Sequence, residues 1–202
     1  MASCLPAKSG GSSFLEIGGE IRTNNTSNAN ISDQHEYVYD TNGNIIGTQA
    51  IGNSAFDYDR SIYSGYTNYG HKFGKLTMQL GVRLEQYKVN GDFKRGTATA
   101  DYKDNIFSAY PSAFFTYNPS EKNQFQISYS RRVDRPGIGQ VNPIRQWSTP
   151  LITSVGNPDL RPQFTNSYEI NYTRQIKNGS ITFGTFYRKV NDNISRYSTI
   201  DP

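Results

Sequence analysis

Between Lys75 and Glu85 every second residue is apolar: Leu76, Met78, Leu80, Val82 and Leu84 alternate with Thr77, Gln79, Gly81, Arg83 and Glu85. Side chains of a strand point to opposite faces with a period of two, so this segment has one apolar and one polar face. On a helix the same residues scatter around the axis and leave no usable stripe. The pattern recurs around Leu15, Ile17 and Ile21, from Phe125 through Ile127 to Tyr129, and through Ile181, Phe183 and Tyr187. Between Thr165 and Lys177 one face is wholly polar, while the other carries Phe164, Tyr168, Ile170, Tyr172 and Ile176, interrupted by Asn166 and Arg174. The composition agrees: 15 Tyr and 11 Phe stand against 2 Met and 1 Trp, a balance that suits strands joined by turns rather than helices.

The alternation predicts seven strands, near 14–23, 56–70, 75–89, 105–117, 123–133, 163–177 and 180–196. Long polar loops at 24–55, 90–104 and 134–162 alternate with short turns at 71–74, 118–122 and 178–179. A soluble sandwich has no reason to gather every long loop at one end, whereas a transmembrane barrel does. These strands also reach or exceed the ~9–11 residues needed to cross a bilayer. Their polar face is dominated by Thr, Ser, Gln, Asn and Gly rather than by Lys and Glu, which suits a barrel lumen. Tyr66, Tyr69, Tyr117 and Tyr129 near strand ends fit the aromatic girdles at the bilayer boundaries. The fold expected is therefore all-β: an antiparallel up-and-down meander of about seven long strands. The alternative is a soluble all-β binding or adhesion module, carbohydrate-binding in one version, with those aromatics as sandwich core. Seven strands cannot close a single-chain bacterial barrel, which has an even number from 8 upward. The chain reads as a fragment, with residues 1–13 an irregular leader or its start and 14–202 the barrel segment.

Several function classes lose support. Cys4 is the one cysteine among 202 residues, so neither an internal disulfide nor a cysteine-based zinc site can form. No apolar run approaches the ~20 residues of a spanning helix, and no basic-then-apolar signal pattern opens the chain. His35 and His71 are far apart and lack neighbouring ligands, so no metal or other cofactor is expected. Glu85 and Glu169 have no spacing that marks a glycosidase pair, and no nucleophile triad or phosphate-binding loop is present, so the chain is read as non-catalytic. Lys and Arg make a formal charge of +4 but form no stripe, and the aromatics fall opposite the charges, so nucleic acid is not expected as a partner.

Tyr129 begins the stretch Tyr-Ser-Arg-Arg-Val-Asp-Arg-Pro-Gly-Ile-Gly-Gln-Val-Asn-Pro, and Gly156 begins Gly-Asn-Pro-Asp-Leu-Arg-Pro. Together with Asp59-Arg60-Ser-Ile-Tyr63, Gly81-Val-Arg-Leu-Glu85, Tyr110-Pro-Ser112 and Asn166-Ser-Tyr-Glu-Ile-Asn-Tyr172, they resemble the barrel region of TonB-dependent outer-membrane receptors, in the barrel family abundant in Bacteroidota. The motifs span about residues 14–200 in the family's order. Val141 replaces the family's usual Leu and Gly137 its frequent Tyr or Ser. The resemblance implies a 22-stranded parent barrel in the bacterial outer membrane that imports a scarce ligand such as a siderophore, cobalamin, a glycan or a peptide. It further implies partners in outer-membrane lipid and lipopolysaccharide, a plug domain, the remaining barrel strands and the TonB system. No plug, energy-coupling box or terminal aromatic strand is recognisable in the sequence.

The motif residues also have a local reading. Pro136, Pro143, Pro158 and Pro162 fix φ and remove backbone donors, so they end strand five and shape a non-strand loop. Asn142-Pro143 and Asn157-Pro158 favour turns; Gly156 and Leu160 complete the motif. Arg131, Arg132 and Arg135, with Arg145 and Arg161 beyond, form either a basic rim for an anionic ligand or plug carboxylates, or structural lumen salt bridges; the second is favoured. Arg83 with Glu85 is expected to form a lumen ion pair. Asn42-Gly43, between short apolar runs, marks a two-residue hairpin turn inside the first external loop.

Overall fold

Each long segment of the chain pairs with its successor in sequence, which is what short turns between period-two segments produce. A computed structural model describes residues 5–6, 13–31, 35–50, 52–149 and 152–200. Its elements are β1 (Leu5–Pro6), β2 (Ser13–Asn30), β3 (His35–Tyr39), β4 (Ile45–Ala50), β5 (Ser54–Phe73), β6 (Leu76–Arg95) and β7 (Ala98–Ser120). They continue as β8 (Asn123–Asp134), a single helical turn α1 (Ile138–Val141), β9 (Gln146–Thr149), β10 (Ile152–Ser154), β11 (Gln163–Ile176) and β12 (Gly179–Asn191). The seven expected strands are β2, β5, β6, β7, β8, β11 and β12. They form one antiparallel sheet in that order, with β1 pairing at the outer edge of β2. The architecture is that of a partial β-barrel wall.

Cross-strand register settles which side chains share a face. Leu80 lies opposite Tyr69 on β5 and Ala113 on β7, and Ile127 lies opposite Phe115 and Ile170. One face thus carries Leu15, Ile17, Leu80, Leu84, Phe115, Ile127, Ile170 and Phe183, all exposed. A soluble sandwich would cover this face with a second sheet. Among the described residues none does. From Leu76 to Gln86 the face climbs about 33 Å along the strand, and a tilt of about 40° projects this to about 25 Å, the height of an outer-membrane apolar band.

Above that band the polarity of β6 inverts. Lys88, Asn90, Asp92 and Lys94 take over the outer face and are exposed, while Tyr87, Val89 and Phe93 on the inner face are buried. Burying these side chains on the inner face is what keeps β5, β6 and β7 paired well beyond the band. The pairing runs unbroken from Phe73↔Leu76 to Ser54↔Arg95, and from Leu76↔Tyr117 to Arg95↔Ala98. The expected loop at 90–104 is therefore corrected: it is strand on both sides of a tight turn at Gly96, whose φ of +54° is the left-handed conformation a glycine takes readily.

The loop at 24–55 is likewise shorter, because β2 runs to Asn30 and β5 begins at Ser54. The remainder holds the β3–β4 hairpin. Its turn has three residues, Thr41 to Gly43, rather than two: Asp40 and Asn44 close it and Gly43 sits at φ +82°. The last strand ends at Asn191 rather than near 196. The segment 134–162 is a loop as expected, though α1 and the β9–β10 pair interrupt it. Of the leader at 1–13, only Leu5, Pro6 and Ser13 lie within the described residues. Tyr69, Tyr117 and Tyr129 stand on the apolar face, but Tyr66 does not: register places it opposite Arg83 on the polar face, lying across Gly18.

Candidate functional site

The polar face of β2, β5 and β6 carries charge in alternating sign just below the point of inversion. Arg83 donates to Glu20 at 2.7 Å and to Glu85 at 2.6 Å, so the expected Arg83–Glu85 pair is present. Arg22 binds the far side of Glu20, and Arg135 closes on the second oxygen of Glu85. The result is a five-residue chain, Arg22–Glu20–Arg83–Glu85–Arg135. Each carboxylate is held between two guanidiniums, which offsets the desolvation of a buried charge. Asn68 donates to Glu16 at 3.1 Å on the same wall.

Arg135 lies just past β8 and joins this wall to the motif loop. Its guanidinium also donates to the Tyr110 hydroxyl at 3.1 Å and lies 4.7 Å from the centre of the Tyr87 ring. Pro111, next to Tyr110, sits where β8 leaves β7, since their ladder begins at Ser112↔Ser130. A residue without an N–H suits that end of the ladder.

Beyond Arg135 the loop folds inward. Ile138, Val141, Ile144 and Leu160 pack on Tyr58, Ile62, Tyr87, Val89, Phe93 and Tyr102. This core lies inside the wall and above the apolar band. The two motif stretches are bonded to each other: Gly156 N–H donates to the Asn142 carbonyl at 2.7 Å and Asn157 N–H to the Gln140 carbonyl at 2.7 Å. Gly156 has no room for a side chain, because a Cβ there would lie 2.6 Å from the Gln140 carbonyl oxygen. The Asn142 side chain accepts from Ile144 N–H at 3.0 Å, and that of Asn157 from Asp159 N–H at 2.9 Å. Pro136 and Pro162 are buried at the two ends of the loop. Burial pushes the Tyr102 hydroxyl up to about 12, with the Asp104 carboxylate adding to it, and also raises that of Tyr87.

The five arginines singled out from the sequence do not converge. Arg135 is part of the ion chain. Arg131 lies over the Phe164 ring at 4.6 Å. Arg132 and Arg161 are exposed, and the Arg145 carbonyl accepts from Arg95. Glu169 stands half-buried on β11, well separated from Glu85 on β6, with β7 and β8 lying between them in the sheet. His71 sits between the Tyr69 and Phe73 rings and His35 lies on β3. No group of three or more metal-ligating side chains occurs among the described residues.

Between β2 and β5 stands the β3–β4 hairpin, a two-stranded ribbon outside the main sheet. The Asp40 carboxylate orders its turn, accepting from Asn42 N–H at 2.9 Å, Asn44 N–H at 2.8 Å and the Asn44 side chain at 3.0 Å. These bonds, the Asn44 side chain first, hold the Asp40 carboxyl below its ordinary range.

Sequence reasoning missed the inner core and the tie from Arg135 to Glu85. The signal for the core was present as Tyr87, Val89 and Phe93 alternating with Lys88, Asn90, Asp92 and Lys94. A family model described as the outer membrane protein beta-barrel family matches residues 5–202. No curated protein matches the chain.

Proposed function

The chain belongs to the outer membrane protein beta-barrel family of the bacterial outer membrane, and from that premise we propose that it supplies wall and external loops to a TonB-dependent receptor. In this reading the whole receptor captures a scarce ligand, such as a siderophore, cobalamin, a glycan or a peptide, and imports it when a plug inside the barrel rearranges on engagement with TonB. The observation that carries it is the inward-folded motif loop. An outer vestibule narrowed by a loop bonded to its own wall suits capture of a ligand before gated passage. The resemblance of the motif stretches at 129–143 and 156–162 to those receptors supports the same conclusion.

The segment is non-catalytic on this account. Glu20 and Glu85 are both engaged by guanidiniums, which leaves neither placed as a general acid or base. Lipid and lipopolysaccharide would meet the apolar face, and the plug and further strands would complete the lumen.

The test is uptake by cells producing the whole receptor, with the inner-membrane proton gradient intact or collapsed. Accumulation of a candidate ligand that depends on the gradient supports the reading. Passage that continues unchanged after the gradient collapses would refute it in favour of a passive pore.

A further inference from the structure

The β3–β4 hairpin is the one external element that neither the wall nor the motif loop explains. It pairs with no other strand among the described residues, and an isolated two-stranded ribbon is marginally stable in water. Yet Tyr37, Tyr39, Ile45 and Ile46 are all more than half exposed on it. Register puts Tyr37 opposite Thr48 and Tyr39 opposite Ile45, with the bulge falling between Val38 and Tyr39. One face of the ribbon thus presents two tyrosine rings about 7 Å apart along the strand, flanked by Ile45 and Thr48. The turn beside them is pinned by Asp40, so the platform is ordered from its own tip.

The charge of this stretch narrows its occupant. From Asn24 to Ala55 the sequence has no Lys and no Arg, its one basic side chain being His35 on β3, and the Asp40 carboxylate stands at the hairpin turn. Phosphorylated or carboxylated ligands find no lysine or arginine in this stretch to pair with. The polar groups on offer are amides and hydroxyls instead: Thr41, Asn42 and Thr48 are exposed beside the rings. Flat aromatic faces bordered by hydroxyls and amides complement a ligand with apolar C–H faces and a rim of neutral hydroxyls. Sugar rings have that shape and chemistry.

We propose that the hairpin at 35–50 is a contact platform for a neutral polysaccharide from the surroundings, with Tyr37 and Tyr39 stacking on its sugar rings. This rests on the receptor reading only for the import step after capture; the platform itself is a binding site whether or not import occurs.

The whole receptor in detergent micelles is titrated with soluble dextran, mannan, xylan and galactan, and with polygalacturonate as an anionic probe. At least one neutral polysaccharide is expected to bind and polygalacturonate to fail. Replacing both tyrosines together, Tyr37→Ala with Tyr39→Ala, should weaken binding by tenfold or more, the loss of an aromatic anchor at an interface. The paired Tyr→Phe changes keep the rings and should retain binding within a few-fold, which separates stacking from hairpin collapse. No binding of any neutral polysaccharide, binding of polygalacturonate in its place, or binding that survives both alanines overturns the platform. Gradient-dependent uptake is measured separately: its absence with polysaccharide binding intact defeats the receptor reading alone, and its presence with tyrosine-independent binding defeats the platform alone.

Discussion

Removing the Arg135 side chain should release the motif loop from the wall. In Arg135→Met the Glu85 carboxylate loses one of its two guanidiniums and keeps Arg83 at 2.6 Å. The Tyr110 hydroxyl loses a donor at 3.1 Å and the Tyr87 ring loses its cation. Breaking a buried pair outright costs about 3–5 kcal/mol, and the surviving Arg83 contact reduces this to about 2–3 kcal/mol. In Arg135→Met with Glu85→Gln the buried charge is absent, so the double change should cost less than the sum of its parts by about 1–2 kcal/mol. The assay is limited trypsin digestion of the protein in micelles, read at Arg145 in the loop, with urea unfolding for the free energies. Arg135→Met should be cut there at least tenfold faster than the unaltered chain, and the double variant at an intermediate rate. Equal protection in Arg135→Met, or strict additivity in the cycle, would refute the idea that this contact holds the loop.

The same geometry sets three further outcomes. Gly156→Ala forces a Cβ against the Gln140 and Asn142 backbones, and should destabilise the loop by about 1–3 kcal/mol, measured as faster trypsin cutting at Arg145. Ile127→Arg on the apolar face should cost about 2–4 kcal/mol in bilayer refolding, while Gln126→Arg on the polar face should be nearly silent; the two titrations are compared directly. The third outcome concerns alkaline pH. Tyr102 has its folded value raised from 10.0 to about 12. The folded state therefore holds that proton more tightly, so the contribution is complete below about pH 10 and is lost as pH rises towards 12. Tyrosinate absorbance should lag behind that of the urea-unfolded chain, with loop protection falling over the same range.

The wall was legible in the sequence and the vestibule was not, for a physical reason. At Leu76 to Leu84 the face opposite the polar one must meet lipid, so alternation and its direction are both imposed, and seven strands emerge in their correct order. At Tyr87 to Phe93 the alternation persists, but the apolar parity switches from even to odd numbers. Extending the even-numbered apolar face past Gln86 meets charges and suggests a loop. The prolines and asparagines at 136–162 announced a non-strand segment correctly, because their constraints are local. That the segment turns inward depends on Val141 and Leu160 meeting Val89 and Phe93, a contact between distant stretches that spacing does not encode. Tyr66 failed for a related reason: an aromatic near a strand end fits a girdle or a lumen equally well, and only its parity with Arg83 decides.

The central claim is that one face of this sheet meets lipid up to Gln86 and water beyond it. Single cysteines at Leu80, Ile127, Ile170, Gln79 and Asn90, in a Cys4→Ser background, test it in outer-membrane vesicles with a membrane-impermeant maleimide and a lipid-borne quencher. Leu80→Cys, Ile127→Cys and Ile170→Cys should resist the maleimide, and a fluorophore attached there after solubilisation should be quenched from the lipid on reconstitution. Asn90→Cys, on the same face of β6, should label rapidly from outside and escape quenching, and Gln79→Cys should also escape quenching. If Leu80→Cys and Ile127→Cys label as fast as Asn90→Cys and are not quenched, the apolar face is not in the membrane and the account is wrong.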